Sequence, residues 1–411
     1  MELSPETLAF IQAHRIATVD VKYLALQSSR ETSVDLPFAL EQLAGWKEAL
    51  TKLPSWAACE GLIYPPHLSM EQCSSELTAQ YKAAVFLDDS EGDYCRYLVD
   101  LTGGFGVDFS FLAKARQSVR ATYIERQEVL CHRAKHNFDL LGLPEAEVMC
   151  LEAEEFLSDD RYWREKSPKS TFIFIDPARR DRSGGKVVSI ADCQPNVATL
   201  WPLLRKRAER VGVKLSPMLD LTVAFRELGE AIRAVHVVAV QGECKELLLL
   251  LGPGSEEAVI TAVNLAAKEA VSSFSFTLSE ERNAHCEWAE KPSTYLYEPH
   301  AALMKAGAYR LLAQRFGVQK LHPLSHLYTS SELIQNFPGR SFRVVDYFGF
   351  SKKELKAAFS SMQKVNLTVR NFPASVAELR KRWNLKEGGD TYCFATTLVD
   401  GTKVLIQCVK A

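Results

Sequence analysis

The spacing of apolar residues changes three times along the chain. Over residues 1–85 it is helical. Ser4-Pro5 offers an N-cap and a proline at the first helical position, with Leu8, Ile11 and Ile16 following. Leu36, Leu40, Leu43 and Trp46 then share one side of a helix over 36–50, and Ser74 or Ser75 caps another over 77–86. From Tyr97 onward, short β-branched runs alternate with helical patterns, which is the mark of βαβ units around a parallel sheet. Five strands are expected, at Tyr97–Leu101, Val119–Ile124, Val148–Leu151, Thr171–Ile175 and Val211–Leu215, with a helix over Asn196–Arg210 covering one face. Ala234–Val240 and Glu246–Leu251 are separated only by Gln241–Lys245, too short for a crossover, so they should pair as an antiparallel hairpin.

Beyond about Ser272 the pattern shifts again. Tyr295–Gly317 has helical spacing around Leu303, Ala306, Leu311 and Leu312, and the last part reads β-α-β-α-β-β. Its strands are expected at Phe342–Tyr347, Val365–Val369, Tyr392–Leu398 and Val404–Val409, and its helices at Lys352–Met362 and Ser375–Trp383, with Asp400-Gly401 turning the final hairpin. The fold class is therefore α/β. A Rossmann-like sheet of five parallel strands plus a terminal antiparallel hairpin is preceded by a helical region and followed by a small α+β domain. The expected divisions are 1–85 (helical), 86–272 (the main sheet), 273–338 (a linker region) and 339–411 (the α+β domain).

Composition narrows the class further. With 47% apolar and 24% charged residues in 411, the chain is that of an ordinary globular protein of several domains. No apolar run reaches the roughly 18 residues of a membrane span. The acidic start, Met1-Glu2-Leu3-Ser4-Pro5-Glu6, is unlike a secretion signal, so a cytoplasmic location is expected. The ten cysteines form no C-x-x-C, which reads as reduced thiols rather than a zinc ribbon. His322 and His326 have ligand-like spacing, but Pro323 breaks the helix face they would share, and no metal is expected. The net charge of −2 conceals an imbalance: from Arg340 onward 13 Lys/Arg face 6 Asp/Glu, an excess of +7 on an otherwise acidic body. A basic terminal domain of this kind points to a polyanion.

The candidate chemistry centres on Val99-Asp100-Leu101-Thr102-Gly103-Gly104-Phe105-Gly106-Val107-Asp108. A strand runs into glycines that let backbone approach a ligand, and then into a helix. The dinucleotide pattern G-x-G-x-x-G fails at Phe109, and a pyrophosphate would not be matched with the flanking Asp100 and Asp108. Those acids suit the sulfonium and ammonium of S-adenosylmethionine (SAM). Glu125 ends the second strand about 20 residues past the glycines, where it can accept from ribose hydroxyls. After the third strand, Glu152 can accept from the adenine amine while the Ala153 N–H meets the ring, although Glu154 would serve after a slip of two residues. Asp176 closes the fourth strand and should face both cofactor and acceptor, with Arg179 beside it as the second catalytic candidate. Arg179, Arg180, Arg182 and Lys186 form a basic loop suited to an anionic substrate. Lys214 ends the fifth strand at the same edge, and Cys244 lies in the final hairpin. No P-loop or Ser-His-Asp order is present.

The run Glu71-Gln72-Cys73-Ser74-Ser75, then Tyr81-Lys82, Gly103-Gly104-x-Gly106, Asp176-Pro177-Ala178-Arg179, Gly242-Glu243-Cys244-Lys245-Glu246 and Tyr297-Glu298-Pro299-His300 resembles the bacterial SAM-dependent class I methyltransferases with a THUMP-like C-terminal domain. The resemblance implies a class I core, a ferredoxin-like linker over 273–338 and a THUMP-like end. It also implies that Gln72 and its neighbours approach the methionine end of SAM. Together these readings make structured RNA the expected acceptor, held by Asp176, Arg179 and the basic tail. SAM would be held by Gln72, Asp100, Thr102, Gly103, Gly104, Gly106, Glu125, Glu152, Ala153 and Asp176. A protein or small anionic metabolite as acceptor, or a non-catalytic protein of the same fold, remains open at this point.

Overall fold

Caps and prolines start the early helices where the sequence offers them. Ser4 accepts from the Thr7 N–H at 3.2 Å to open α1 (Pro5–His14), and Asp35 accepts from Phe38 at 3.2 Å to open α3 (Leu36–Lys52), α2 being Val21–Gln27. Ser75, rather than Ser74, caps α6 (Glu76–Phe86), after α4 (Pro54–Ala58) and α5 (His67–Gln72). The computed structural model describes every residue except 1–3, 28–32, 88–94, 117, 180–188, 255, 267–270, 361 and 363, and it leaves undescribed the side chains of Arg179, Lys352, Lys356, Ala357 and Ser360. No helix among the described residues is long and apolar enough to cross a membrane.

The chain divides into two compact units, Met1–Val235 with Glu246–Glu256, and His236–Lys245 with Glu257–Ala411. In the first unit β1 (Tyr97–Asp100), β2 (Arg120–Glu125), β3 (Glu147–Cys150), β4 (Thr171–Ile175) and β5 (Arg210–Leu215) form the expected parallel sheet, in the order β5-β4-β1-β2-β3. β4 is buried throughout, as a central parallel strand covered on both faces must be. β6 (Ile232–Val240) and β7 (Glu243–Leu251) follow, joined by only two residues, Gln241 and Gly242, both at positive φ. Each hairpin strand is thus longer than its apolar run indicated. β7 runs antiparallel to β5, with Leu247 opposite Leu215 and Leu251 opposite Val211. The helix expected over 196–210 ends at Arg207, because Arg210 is already paired with Phe172 in the sheet.

The helical region packs onto this sheet through the glycine turn. Phe105, between Gly104 and Gly106, is 5% exposed and shares a core with Trp46, Leu53, Trp56, Tyr64 and Met70. Its ring lies 4.9 Å from that of Trp56 in an edge-on contact.

In the second unit β8 (Val259–Leu265) pairs antiparallel with β9 (Ser272–Phe276), two strands the sequence reading omitted. Tyr295–Pro299, read as helical, is instead strand β10, and the helical spacing belongs to Ala301–Ala306 and Arg310–Phe316. The alternation Tyr295-Leu296-Tyr297 suits a strand, and Leu296 lies opposite Phe342. β10 joins β11 (Gln319–Lys320), β12 (Tyr328–Ser330), β13 (Gly339–Gly349), β14 (Asn366–Arg370), β15 (Tyr392–Thr397) and β16 (Lys403–Lys410) in one sheet ordered β11-β12-β10-β13-β16-β15-β14. The helices Lys352–Ser360 and Val376–Trp383 bury Leu355, Ala358 and Leu379 against Leu367, Cys393, Ala395 and Leu405. The β-α-β-α-β-β order of the last residues is as expected.

Candidate cofactor and active site

The register of the parallel strands brings several functional candidates to one edge. Asp100 lies opposite Tyr123 and Phe174, so the carboxyl ends of β1, β2 and β4 finish level, where open α/β sheets take ligands. The turn after β1 is closed by its own hydrogen bonds. The Gly103 N–H donates to Ile124 O at 2.8 Å, and the Gly104 N–H donates to Glu125 Oε2 at 2.9 Å. Glu125 Oε1 accepts from the Gln127 N–H at 2.9 Å, which fixes the carboxylate while each oxygen keeps a further lone pair. The three glycines have different reasons to be glycine. At Gly103 a Cβ would stand 2.0 Å from the Tyr123 ring, and at Gly106 (φ +84°) it would stand 2.8 Å from Phe138. Gly104 (φ +56°) faces open space, with nothing nearer than Thr102 O at 3.8 Å.

Asp100 is 1% exposed and accepts the Thr102 N–H at 2.9 Å. Burial pushes its carboxyl well above the ordinary range; Asp108, Asp176 and Glu125 push the same way, and the Thr102 N–H opposes them. A positive group arriving beside Asp100 would relieve this strain. Thr102 also accepts the Asp176 N–H at 2.6 Å, which ties β1 to the residue after β4.

Asp108 serves a different purpose from the one its position in the sequence indicated. It does not offer a free carboxylate to a cation: Ser74 donates to Oδ2 at 2.7 Å, Lys82 Nζ stands 3.2 Å from Oδ1, and Lys214 Nζ stands 3.6 Å from Oδ2. Burial opposes its charge, but Lys82 and Lys214 outweigh burial and hold the carboxyl below its ordinary value. Lys214 donates to Asp176 Oδ2 at 2.5 Å. Burial works against the ammonium of Lys214, yet Asp176, Asp108 and Glu246 keep it protonated with a raised pKa. Lys82 is fully buried and donates to both oxygens of Glu246 at 2.8 Å, while burial raises the Glu246 carboxyl.

The remaining candidates are dispersed. Gln72 is exposed in the last turn of α5, and from its segment Ser74 is the residue that reaches the turn. Glu152 is exposed and faces Arg126 at 4.0 Å, and Ala153 is buried at the start of the helix Ala153–Ser158. The backbone of Ala178–Arg179 forms a short antiparallel ladder with Cys193–Gln194. Arg180, Arg182 and Lys186 lie outside the described residues. Ser74, Lys82 and Glu246 were not named as site residues. Lys82 had a signal, a lone cation on a helix face made of Ala79, Ala83 and Phe86; so did Glu246, the one acid heading Leu247–Leu251.

The second unit contains a charge cluster of its own. Glu298, 3% exposed on β10, accepts from Arg340 (Nε, 3.0 Å) and from Arg370 (Nη2, 2.8 Å; Nε, 3.1 Å). Two of the tail's thirteen cations are thus paired with a buried acid, although their own side chains remain 53% and 37% exposed.

Residues 295–338 match a ferredoxin-like domain family, and residues 339–410 match a THUMP domain-like family. The whole chain is similar to a crystal structure from Porphyromonas gingivalis W83, provisionally named a methyltransferase, at 34% identity with both chains fully covered and a TM-score of 0.84. An rRNA methylase from Streptococcus thermophilus is 17% identical over 43% of this chain and 96% of its own, with a TM-score of 0.30. The N-terminal domain of human METTL16 in complex with SAH is 14% identical over 61% of this chain and 96% of its own, with a TM-score of 0.37. Both of these scores are too low to carry weight. No curated protein matches the chain.

Proposed function

The chain belongs to the bacterial class I methyltransferases that end in a THUMP-like domain, and on that premise we propose that it transfers the methyl group of SAM to structured RNA. The observation that carries the cofactor half is the glycine turn: Gly104 leaves open space beside a carboxylate, Glu125, that its own N–H helps to fix. The donor set suits a cationic nucleoside. Asp100 is a buried carboxyl surrounded by other acids, and Glu125 retains lone pairs for a ribose diol. Gly103, Gly104 and Gly106 would leave room for the ligand, with Thr102 and Asp176 at its side. Glu152 and Ala153 would meet the base, and Gln72 the methionine end. When bound, SAM supplies an electrophilic methyl group, so the protein's task is mainly to orient the acceptor in line with it. Asp176, held from one side by Lys214, and Arg179 are proposed for that task, with Arg180, Arg182 and Lys186 gripping acceptor phosphates. The RNA half is supported by the THUMP-like match and by the +7 excess beyond residue 340.

The test is SAM binding by equilibrium dialysis, followed by transfer of labelled methyl into total RNA and, separately, into a protein extract. Binding that is lost in Gly104→Arg, with label entering RNA, is the expected result. Absence of SAM binding would overturn the cofactor assignment. Label in protein or in small anionic metabolites alone would overturn the acceptor.

A further inference from the structure

Lys82 arrives from a helix that precedes the whole sheet, yet it is fully buried behind the site. Its neighbours form a line of alternating charge. Glu246 holds it at 2.8 Å through both oxygens, it stands 3.2 Å from Asp108 Oδ1, Asp108 Oδ2 is 3.6 Å from Lys214, and Lys214 donates to Asp176 at 2.5 Å. Only the last member reaches the surface: the Asp176 side chain is 36% exposed, against 12% or less for the other four. Asp108 Oδ1 makes no hydrogen bond among the described residues, so the charge of Lys82 is what compensates that atom.

Lys214 has two carboxylates within reach and lies nearer to Asp176 than to Asp108, which Lys82 already compensates. Without Lys82, Asp108 would be a buried anion whose remaining nearby cation among the described residues is Lys214, and a buried unpaired charge is strongly disfavoured. We infer that Lys82 is a positioning residue for methyl transfer, anchored by Glu246: it occupies Asp108 so that Lys214 stays on Asp176. The inference rests on the proposed reading of Asp176 as the residue that orients the acceptor. A pair buried only for stability would have no such reach, and this difference can be measured.

Three full-length variants decide it: Lys82→Arg, Lys82→Met and the double variant Lys82→Met/Glu246→Met. Thermal midpoint, SAM affinity by calorimetry, kcat and KM for labelled methyl transfer into total bacterial RNA, and the Lys214–Asp176 separation in crystals are compared with wild type. In Lys82→Met, Lys214 should move from Asp176 to Asp108 and kcat should fall by about 100-fold, the usual scale of an ångström-sized misplacement. KM and SAM affinity should change little. The double variant no longer buries a lone glutamate, so its thermal midpoint should recover while kcat and the Lys214–Asp176 contact do not. Lys82→Arg should keep both. Recovery of kcat in the double variant, or Lys214 still on Asp176 in either Met variant, overturns the inference and leaves a stability pair. Should Lys82→Met fail to fold, the double variant carries the test. Should wild type methylate no RNA, the acceptor assignment falls, while the crystal distances still decide what Lys82 does.

Discussion

Alanine at Gly103 and alanine at Gly104 should have opposite consequences, although the two residues are neighbours. At Gly103 a Cβ would stand 2.0, 2.3 and 2.5 Å from three atoms of the Tyr123 ring. That ring has no room to yield. Tyr123 is fully buried, its hydroxyl donates to Gly104 O at 2.5 Å, and Phe109 and Phe138 meet it edge-on at 5.6 and 5.4 Å. Overpacking of this kind costs about 1–3 kcal/mol. For a unit of this size that is a fall of roughly 2–4 °C in thermal midpoint per kcal/mol. At Gly104 a Cβ meets nothing within 3.8 Å, so the cost is only that of left-handed backbone, about 1–2 kcal/mol. The added methyl would, however, project into the space assigned to the cofactor. Gly104→Ala should therefore retain most of its stability and lose SAM affinity by about tenfold or more, the factor that 1.4 kcal/mol of lost contact produces. Gly103→Ala should lose stability first. Thermal melts with and without SAM, alongside equilibrium dialysis, separate the two. If Gly104→Ala binds SAM as wild type does, the open side of the turn is not the cofactor's place and the site must be moved.

Four further outcomes follow from the same structure. Because burial raises the Asp100 carboxyl in the folded state above its ordinary 3.8, its stabilising contribution is full below that value and is lost as pH rises through the folded pKa. Wild type should therefore lose stability relative to Asp100→Asn as pH is raised above about 3.8 in parallel melts; an advantage that grows with pH would refute the assignment. Phe105→Ala removes the ring that anchors the turn to Trp56 and should cost roughly 3–5 kcal/mol in denaturant unfolding, with SAM affinity falling in step. On the second unit, Lys381→Ala/Arg382→Ala changes two exposed cations and should lower the slope of log RNA affinity against log salt by roughly two without moving the melt. Arg340→Ala/Arg370→Ala instead strands the buried Glu298, and should cost roughly 3 kcal/mol or more.

What could be read from the chain alone depended on how far each feature is local. The parallel strands, the antiparallel hairpin behind them and the β-α-β-α-β-β tail follow from periodicity and connection length, and they were legible, although the hairpin turn is two residues rather than the five its apolar runs indicated. The glycine turn was legible for the same reason, since Asp100, Gly104 and Glu125 act within one βαβ unit. The role of Asp108 was not. Its meaning depends on Lys82, Lys214 and Ser74, brought from separate elements, and on the Glu246 that Lys82 also holds. An acid beside a glycine turn looks the same in a sequence whether it awaits a cationic ligand or is already paired with two lysines. The strand at Tyr295–Pro299 was misread because its alternation spans only five residues and helical spacing begins at once behind it. The tail's +7 is likewise a sum over residues with different partners, and Glu298 already holds two of those cations. Charge counted along a sequence sets an upper limit on what a surface can offer a polyanion, and the buried partners determine how much of it is left. In this chain that holds at both ends of the argument. The acids that point to a cationic cofactor reduce to Asp100 and Glu125 once Asp108 is paired, and the cationic excess that points to RNA is reduced by the one charge of Glu298.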